Sequence, residues 1–248
     1  MGKILIAGES WMSHTVHVKG FDSFTTSVYE EGIEYIKNAL EEGGYEVDFL
    51  PNHIAPDKFP TTLEELNQYE AVILSDIGSN TLLLPKSVFT HGKKLPNRLE
   101  LIKEYVEKGG SFLMIGGYMS FTGIDAKTRY GETAIKDILP IKMLDRDDRV
   151  EAPQGFNPKV IKEHEILNGI PKEWPHFLGY NKTIALEEIG EHIVTINGDP
   201  FISVMGYGNG RTAIFTSDCA PHWGSVEFLN WEYYNKLWIN ILNWMTKK

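Results

Sequence analysis

Four groups of side chains in this 248-residue chain carry the functional groups that acid–base and binding chemistry needs. The first holds Glu9, Ser10, Trp11, His14 and His17. The second holds Asp76, Ser79 and Asn80. Tyr118, Met119 and Ser120 form the third, with Arg129 and Tyr130 a little further on, and Asp218, Cys219, His222 and Trp223 form the fourth. His222 lies four residues after Asp218, so an imidazole oriented by a carboxylate can serve as a general acid or base. Glu9 and Asp76 are acceptors for ligand hydroxyls, while Ser120, Arg129 and Trp223 add a hydroxyl, a guanidinium and an indole for binding. The stretch Gly116-Gly117-Tyr118-Met119-Ser120 has the small residues of a nucleophile elbow, with Tyr118 at the apex. A phenol is a poor nucleophile at neutral pH, so Tyr118 is read as a hydrogen-bond donor. With Met119 at the apex the turn is inert, and a plain Gly-Gly packing turn is the simplest alternative.

Three further motifs are weaker. Cys219 can pair with His222 as a thiolate, or it can be buried as a small hydrophobe. His14 and His17 suit a shared metal on a helix, with Glu9 or Asp22 adding oxygen, but two histidines without a third clear ligand assign no metal. The run Asp145-Arg146-Asp147-Asp148-Arg149, with Glu151, offers carboxylates for a cation, but its mixed signs read as mutual ion pairing on a solvated face. Gly206 to Arg211 precedes a strand, so its glycines belong to a hairpin turn and not to a phosphate loop.

The elements that must position these groups alternate between two periodicities. Apolar runs at Lys3–Gly8, Ala71–Ser75 and Ser111–Ile115, with an alternating run at Glu46–Leu50, predict four strands. Helical spacing predicts helices over Thr25–Glu42 and Asn97–Lys108, and the Thr61 to Glu65 capping box opens a short one. Beyond Leu139 the pattern predicts strands at 182–186, 192–196, 201–205 and 212–216, a weak helix at 158–167 and an aromatic helix at 226–245. Helices between short apolar strands predict an α/β fold with a mostly parallel sheet and an antiparallel C-terminal extension. No linker or repeat interrupts the chain, so one domain over 1–248 is expected. In such sheets ligands bind beyond the carboxyl ends of the strands, where all four groups fall.

Composition narrows the partners. There are 24 Lys and Arg against 34 Asp and Glu, a net charge of −10, which disfavours nucleic acid and anionic membrane surfaces. The single cysteine excludes an internal disulfide and a Cys-rich zinc site. The first residues are no signal peptide, and no run approaches the ~18 apolar residues of a membrane span. A cytoplasmic protein with no cofactor is expected.

The segments L-S-D-I-G-S-N (74–80), G-G-Y-M-S-F-T-G-I (116–124), D-D-R-V-E-A-P (147–153), W-P-H-F-L-G-Y-N (174–181) and A-P-H-W-G (220–224) resemble the class I glutamine amidotransferase-like superfamily. Within it they are most similar to the uncharacterised glutamine amidotransferase-like group, with ThuA-like proteins as more distant relatives. The resemblance implies a flavodoxin-like three-layer sandwich. It also implies a cysteine at the elbow apex and a later His-x-Glu pair, and this sequence departs from both. Tyr118 or Met119 takes the apex, Cys219 lies after the last strand, and position 224 is Gly. Cys-dependent glutamine hydrolysis is therefore not expected. The first expectation is a protein that binds or acts on a small polar metabolite, with sugar-related compounds as one candidate class. The alternatives are a non-catalytic homo-oligomeric scaffold, suggested by Trp223, Trp231, Trp238 and Trp244, and an amidotransferase that uses Cys219.

Overall fold

The computed structural model describes residues 2–247. Its largest sheet begins with the runs read as buried strands: β1 (Lys3–Gly8), β4 (Glu46–Leu50), β5 (Ala71–Ser75) and β6 (Ser111–Ile115). Between β1 and β4 lie β2 (Ser10–Lys19) and β3 (Asp22–Glu31). The later strands are β7 (Ile141–Met143), β8 (Arg149–Phe156), β9 (Lys159–Val160), β10 (Phe177–Asn181), β11 (Thr183–Ala185), β12 (Glu191–Ile196), β13 (Asp199–Tyr207) and β14 (Gly210–Phe215). The eight-stranded sheet has the order β4-β1-β5-β6-β14-β13-β12-β9. Its first five strands are parallel, and β13, β12 and β9 continue it antiparallel. Counted along the chain, the parallel strands run 2-1-3-4-5, the order of flavodoxin-like doubly wound sheets. The order reverses between β1 and β5.

Two apolar clusters cover the two faces, which makes the three layers. On one face, α1 (Glu34–Glu42) and the C-terminal helix bury Ile36, Leu40, Trp238 and Ile241 against Ile4, Ile73 and Phe215. On the other, the helix over Arg98–Glu107 buries Leu99, Ile102 and Val106 against Val72, Leu74 and Phe112. Asn97 caps that helix by accepting from the N–H groups of Leu99 and Glu100, and the Thr62–Glu65 capping box is formed in full.

Three expectations are corrected. The helix predicted from Thr25 begins only at Glu34, because Ser10 to Glu31 form a two-stranded ribbon paired from Ser10–Glu31 to Lys19–Asp22. Thr25, Thr26, Val28 and Tyr29 are β-branched or aromatic and prefer the pleated surface, and spacing to Ile33 mimicked a helical stripe. The weak helix at 158–167 is β9 followed by a single 3₁₀ turn over Glu165–Leu167. The C-terminal helix is broken into Val226–Leu229 and Tyr234–Thr246. At the break the Asn230 N–H and its Nδ2 both donate to the Val226 carbonyl.

The aromatic segment finds its cover within the chain. Trp223 and Trp238 are buried, and Phe215 packs on Trp238 with ring centroids 4.9 Å apart. Trp231 and Trp244 are partly buried against the same core. No helix among the described residues is long and apolar enough to cross a membrane.

Candidate functional site

The site sits where the sheet order reverses. At the end of β1, Gly8 has φ +120, and a Cβ there would stand 1.6 Å from the Ser75 carbonyl oxygen. That close approach lets the Glu9 N–H donate to Ser75 O at 3.0 Å. Glu9 and Asp76 then take left-handed backbone conformations, φ 44 and 46, at the ends of the adjacent strands β1 and β5. Such conformations cost energy in non-glycine residues and gather at functional sites. The Ser75 hydroxyl donates to the buried Glu9 carboxylate. Asn52 Nδ2 donates to the backbone oxygens of Ser10 and Asp76, which laces the two strand ends together.

The turn after β6 is tied to the same place. Met119 N–H donates to Asp76 Oδ1 at 2.6 Å, and Asp76 N–H donates to Ser120 Oγ at 3.1 Å. Ser120 is thus a buried support and not part of the cavity wall. The elbow expectation is corrected in two respects. The left-handed residue is Gly117, φ 143, and not Tyr118. No α-helix follows, only a 3₁₀ turn over Ile124–Ala126. Asn181 grips Gly117 through its N–H at 3.0 Å and its carbonyl at 3.1 Å, and donates to Asp148 at 2.9 Å. Asp148 accepts in turn from the N–H groups of Thr122 and Gly123. The charge run is therefore not wholly solvated. Asp147 and Arg149 pair with each other at 2.8 Å, but Asp148 is buried beneath the turn, and burial pushes its carboxyl up to about 6 against those hydrogen bonds.

Tyr118 projects from this turn. Its hydroxyl donates to Glu151 at 2.7 Å, and the Arg149 guanidinium lies 4.6 Å from its ring centroid. Burial, then the Glu151 carboxylate, hold the phenol above its ordinary value, so it remains a donor. Glu151 also accepts from Trp223 Nε1 at 3.1 Å. Trp223 lies behind the cavity, stacked on His222, whose ring meets Tyr118 edge-on at 4.4 Å. Arg149 and Glu151 escaped the strand-end reading because they arrive on β8, outside the main sheet. Their signal was the D-D-R-V-E-A-P segment.

Beyond β14, Asp218 Oδ2 lies 3.6 Å from His222 Nδ1. His222 has φ 125 and a side chain 44% exposed, so this imidazole reaches solvent from a constrained backbone. Cys219 is fully buried with its sulfur 3.8 Å from Ser75 Oγ. Burial, with the Glu9 and Asp218 carboxylates beside it, pushes its thiol well up, the opposite of nucleophile activation.

Glu9, Trp11, Asp76, Tyr118, Asp218, Pro221 and His222 line one cavity of about 350 Å³. Five of the eight predicted site residues, Glu9, Asp76, Tyr118, Asp218 and His222, are thus brought together, with Ser120 and Trp223 supporting them. Arg129 is not there. It pairs with Glu132 on the surface and lines a separate cavity with Lys142 and Asp145. His14 and His17 lie three residues apart on β2 and so face opposite sides of the ribbon. His14 meets Ser27 and His17 meets Thr26, so they do not form a metal pair.

Three carboxyl groups from three strand ends share a small, largely buried volume. Burial, then the charges of Asp218 and Asp76, raises Glu9 well above the usual carboxylate range. Burial, then the charge of Asp76, does the same for Asp218. Asp76 is raised by burial against its Met119 hydrogen bond. Burial and mutual repulsion favour the protonated forms of these carboxyls, and a protonated carboxyl can donate as well as accept. Glu9, Asp218 and Cys219 each bring one donor atom within 4.8 Å of the others, and they are the residues able to hold a cation here.

The sequence profile of the putative glutamine amidotransferase family, GATase1_like, matches residues 3–247. The chain belongs to that family. Among solved structures, the cytoplasmic protein STM3548 of Salmonella typhimurium is 46% identical, with 98% of each chain covered and a TM-score of 0.94. The cytoplasmic protein STM1381 of Salmonella typhimurium LT2 is 49% identical over 98% of this chain and 99% of that one, also at 0.94. A ThuA-like protein from Parabacteroides merdae shares the fold at 14% identity, covering 99% of this chain and 90% of that one at a TM-score of 0.56. No curated protein matches the chain. As a GATase1_like member it has Gly117 and Tyr118 at the turn where the resemblance implied a cysteine, and its one cysteine lies inside the protein.

Proposed function

We propose that this family member binds, and acts by proton transfer on, a small neutral polyhydroxylated metabolite of the sugar class, without Cys-dependent glutaminase chemistry. The observation that carries the reading is the convergence of the Glu9, Asp76 and Asp218 carboxyls on one cavity with Trp11, Tyr118, Pro221 and His222 as its other walls. Carboxyls are the acceptors that vicinal hydroxyls need, and aromatic rings cover the apolar face of a sugar ring. Because burial favours the protonated forms of Glu9 and Asp218, a neutral ligand meets little net charge there, whereas an anion would meet residual negative charge. His222, 3.6 Å from Asp218 and open to solvent, is the group placed to exchange a proton with bound ligand. The cytoplasmic neighbours support a cytoplasmic setting for this role.

The test is a thermal-shift and calorimetric screen of neutral sugars and polyols beside sugar phosphates, amino acids and polyamines. A neutral polyol that raises the melting temperature, with binding weakened by His222→Ala and Tyr118→Phe, supports the reading. A screen in which only charged compounds bind, or nothing binds, overturns it. Ammonia release from glutamine that Cys219→Ser abolishes would put a glutaminase in its place.

A further inference from the structure

His222 is the group assigned to proton exchange, yet among the described residues no hydrogen bond fixes its ring. Its polar neighbour, Asp218 Oδ2, stands 3.6 Å from Nδ1, just beyond hydrogen-bond reach. Two aromatic rings hold it instead. Trp223 stacks on the imidazole at 20° with centroids 5.4 Å apart, and Tyr118 meets it at 79° and 4.4 Å. Tyr118 and Trp223 also lie against each other, 5.5 Å between centroids. Ring contacts of this kind are individually weak, so they set an angle only while the flanking rings are themselves fixed.

One carboxyl group fixes both. Glu151 Oε1 accepts from the Tyr118 hydroxyl at 2.7 Å, and an oxygen of the same carboxyl, Oε2, accepts from Trp223 Nε1 at 3.1 Å. An indole N–H can only donate, and Trp223 is buried, so this bond supplies the partner its N–H needs. Arg149 lies two residues earlier on β8 and so on the same face. Its guanidinium stands 4.6 Å from the Tyr118 centroid and 3.7 Å from Glu151 Oε1. Asp147 grips that guanidinium at Nε and Nη2, at 3.0 and 2.8 Å. Gly179 lies across from Glu151 on β10, and a Cβ there would stand 2.1 Å from Trp223 Nε1. The glycine thus leaves the indole room to reach the carboxyl. Glu151 itself is not a wall of the cavity.

We propose that Glu151 is a positioning residue of this site, setting the angle of the His222 imidazole through Tyr118 and Trp223 without meeting the ligand. That role rests on the reading of His222 as the proton-exchanging group. Without Glu151 the Tyr118 ring turns about its side-chain torsions, and the indole loses the acceptor that orients it. The imidazole follows, because no bond of its own holds the ring in place.

NMR of the unliganded full chain, with its histidine rings labelled with carbon-13, tests this. His222→Ala identifies the His222 ring signals by their disappearance. In the wild type the ring currents of Tyr118 and Trp223 displace those signals from the free-histidine position. Glu151→Gln, which keeps one accepting oxygen in place of two, moves them part of the way back, and Glu151→Ala moves them further. The signals of the remaining histidines stay in place. Chemical shifts are read on folded molecules, so a variant that only lowers stability leaves the His222 signals unmoved. Gly179→Ala, which keeps the carboxyl but crowds the indole, reaches the same displacement by a second route should Glu151→Ala fail to fold. His222 signals that stay at the wild-type position in Glu151→Gln and in whichever of the other two variants folds overturn the proposal. A displacement shared alike by all the histidines marks a general loosening and overturns it too. No ligand enters the experiment, so its failure leaves the polyol reading standing, and an empty polyol screen leaves this result standing.

Discussion

Asp76 Oδ1 accepts a 2.6 Å hydrogen bond from the Met119 N–H, tying the end of β5 to the turn after β6. One side chain thus faces the cavity at the strand ends and also holds the loop that presents Tyr118. Asp76→Ala removes the acceptor and leaves a part-buried N–H unpaired, so a loss of about 1–3 kcal/mol is expected in urea unfolding at neutral pH. Asp76→Asn should lose less than half of that. Its amide oxygen can still accept, and asparagine tolerates the left-handed backbone found here.

Gly117 and Tyr118 are adjacent but should respond to very different extents. A Cβ on Gly117 would stand 2.7 Å from Asp76 Oδ1 at φ 143, so Gly117→Ala should cost at least ~2 kcal/mol of stability. Tyr118→Phe removes one hydroxyl donated to the exposed Glu151 and should change stability by less than ~1 kcal/mol. Parallel denaturant titrations of the two variants check the contrast.

Cys219 should behave as an interior residue. With its thiol buried and pushed up by the neighbouring carboxyls, an aromatic disulfide reagent at pH 8 should leave the native protein almost unlabelled. In denaturant it should titrate one thiol per chain. Fast labelling of the native protein would show that the strand ends open.

Stability should fall as pH rises above the ordinary carboxylate range. Glu9 and Asp218 have folded-state pKa values above their unfolded values of about 4.5 and 3.8. Between the unfolded and folded values the native state binds more protons, so the slope of unfolding free energy against pH is negative there. Their contribution is fully present below the unfolded values and is lost as pH rises through the folded ones. Asp148 adds a loss of the same sign between 3.8 and about 6. Glu9→Gln keeps an acceptor for Ser75 but does not titrate, so it should flatten the slope. Melting temperatures from pH 4.5 to 9 measure both.

Legibility followed how local each signal is. The runs A-V-I-L-S and S-F-L-M-I are buried along their whole length, so apolar content alone marked β5 and β6 and placed Asp76 and the Gly116-Gly117 turn at their ends. The β2–β3 ribbon buries almost nothing, so it had no core face to mark it as strand, and the spacing of Val28 to Ile33 passed for a helical stripe. Arg129 looked equivalent to its neighbours by position after β6, yet its left-handed backbone, φ 54, belongs to a loop beside a different cavity. Asp148 reads as one charge among five, and only its three hydrogen-bond donors distinguish it.

By itself the sequence determined the alternation of strands and helices, the strand ends at which polar groups collect, and the absence of a cysteine from the turn after β6. Those are matters of neighbouring residues, because burial of a short apolar run and the reach of a glycine turn are set within a few positions. Only the tertiary structure decided that Glu9, Asp76 and Asp218 share one cavity, that Glu151 joins Tyr118 to Trp223, and that Cys219 is shut inside. Desolvation and the mutual repulsion of carboxylates act through space, between residues as far apart as 9 and 218, and they exist only once the sheet has brought those strand ends together.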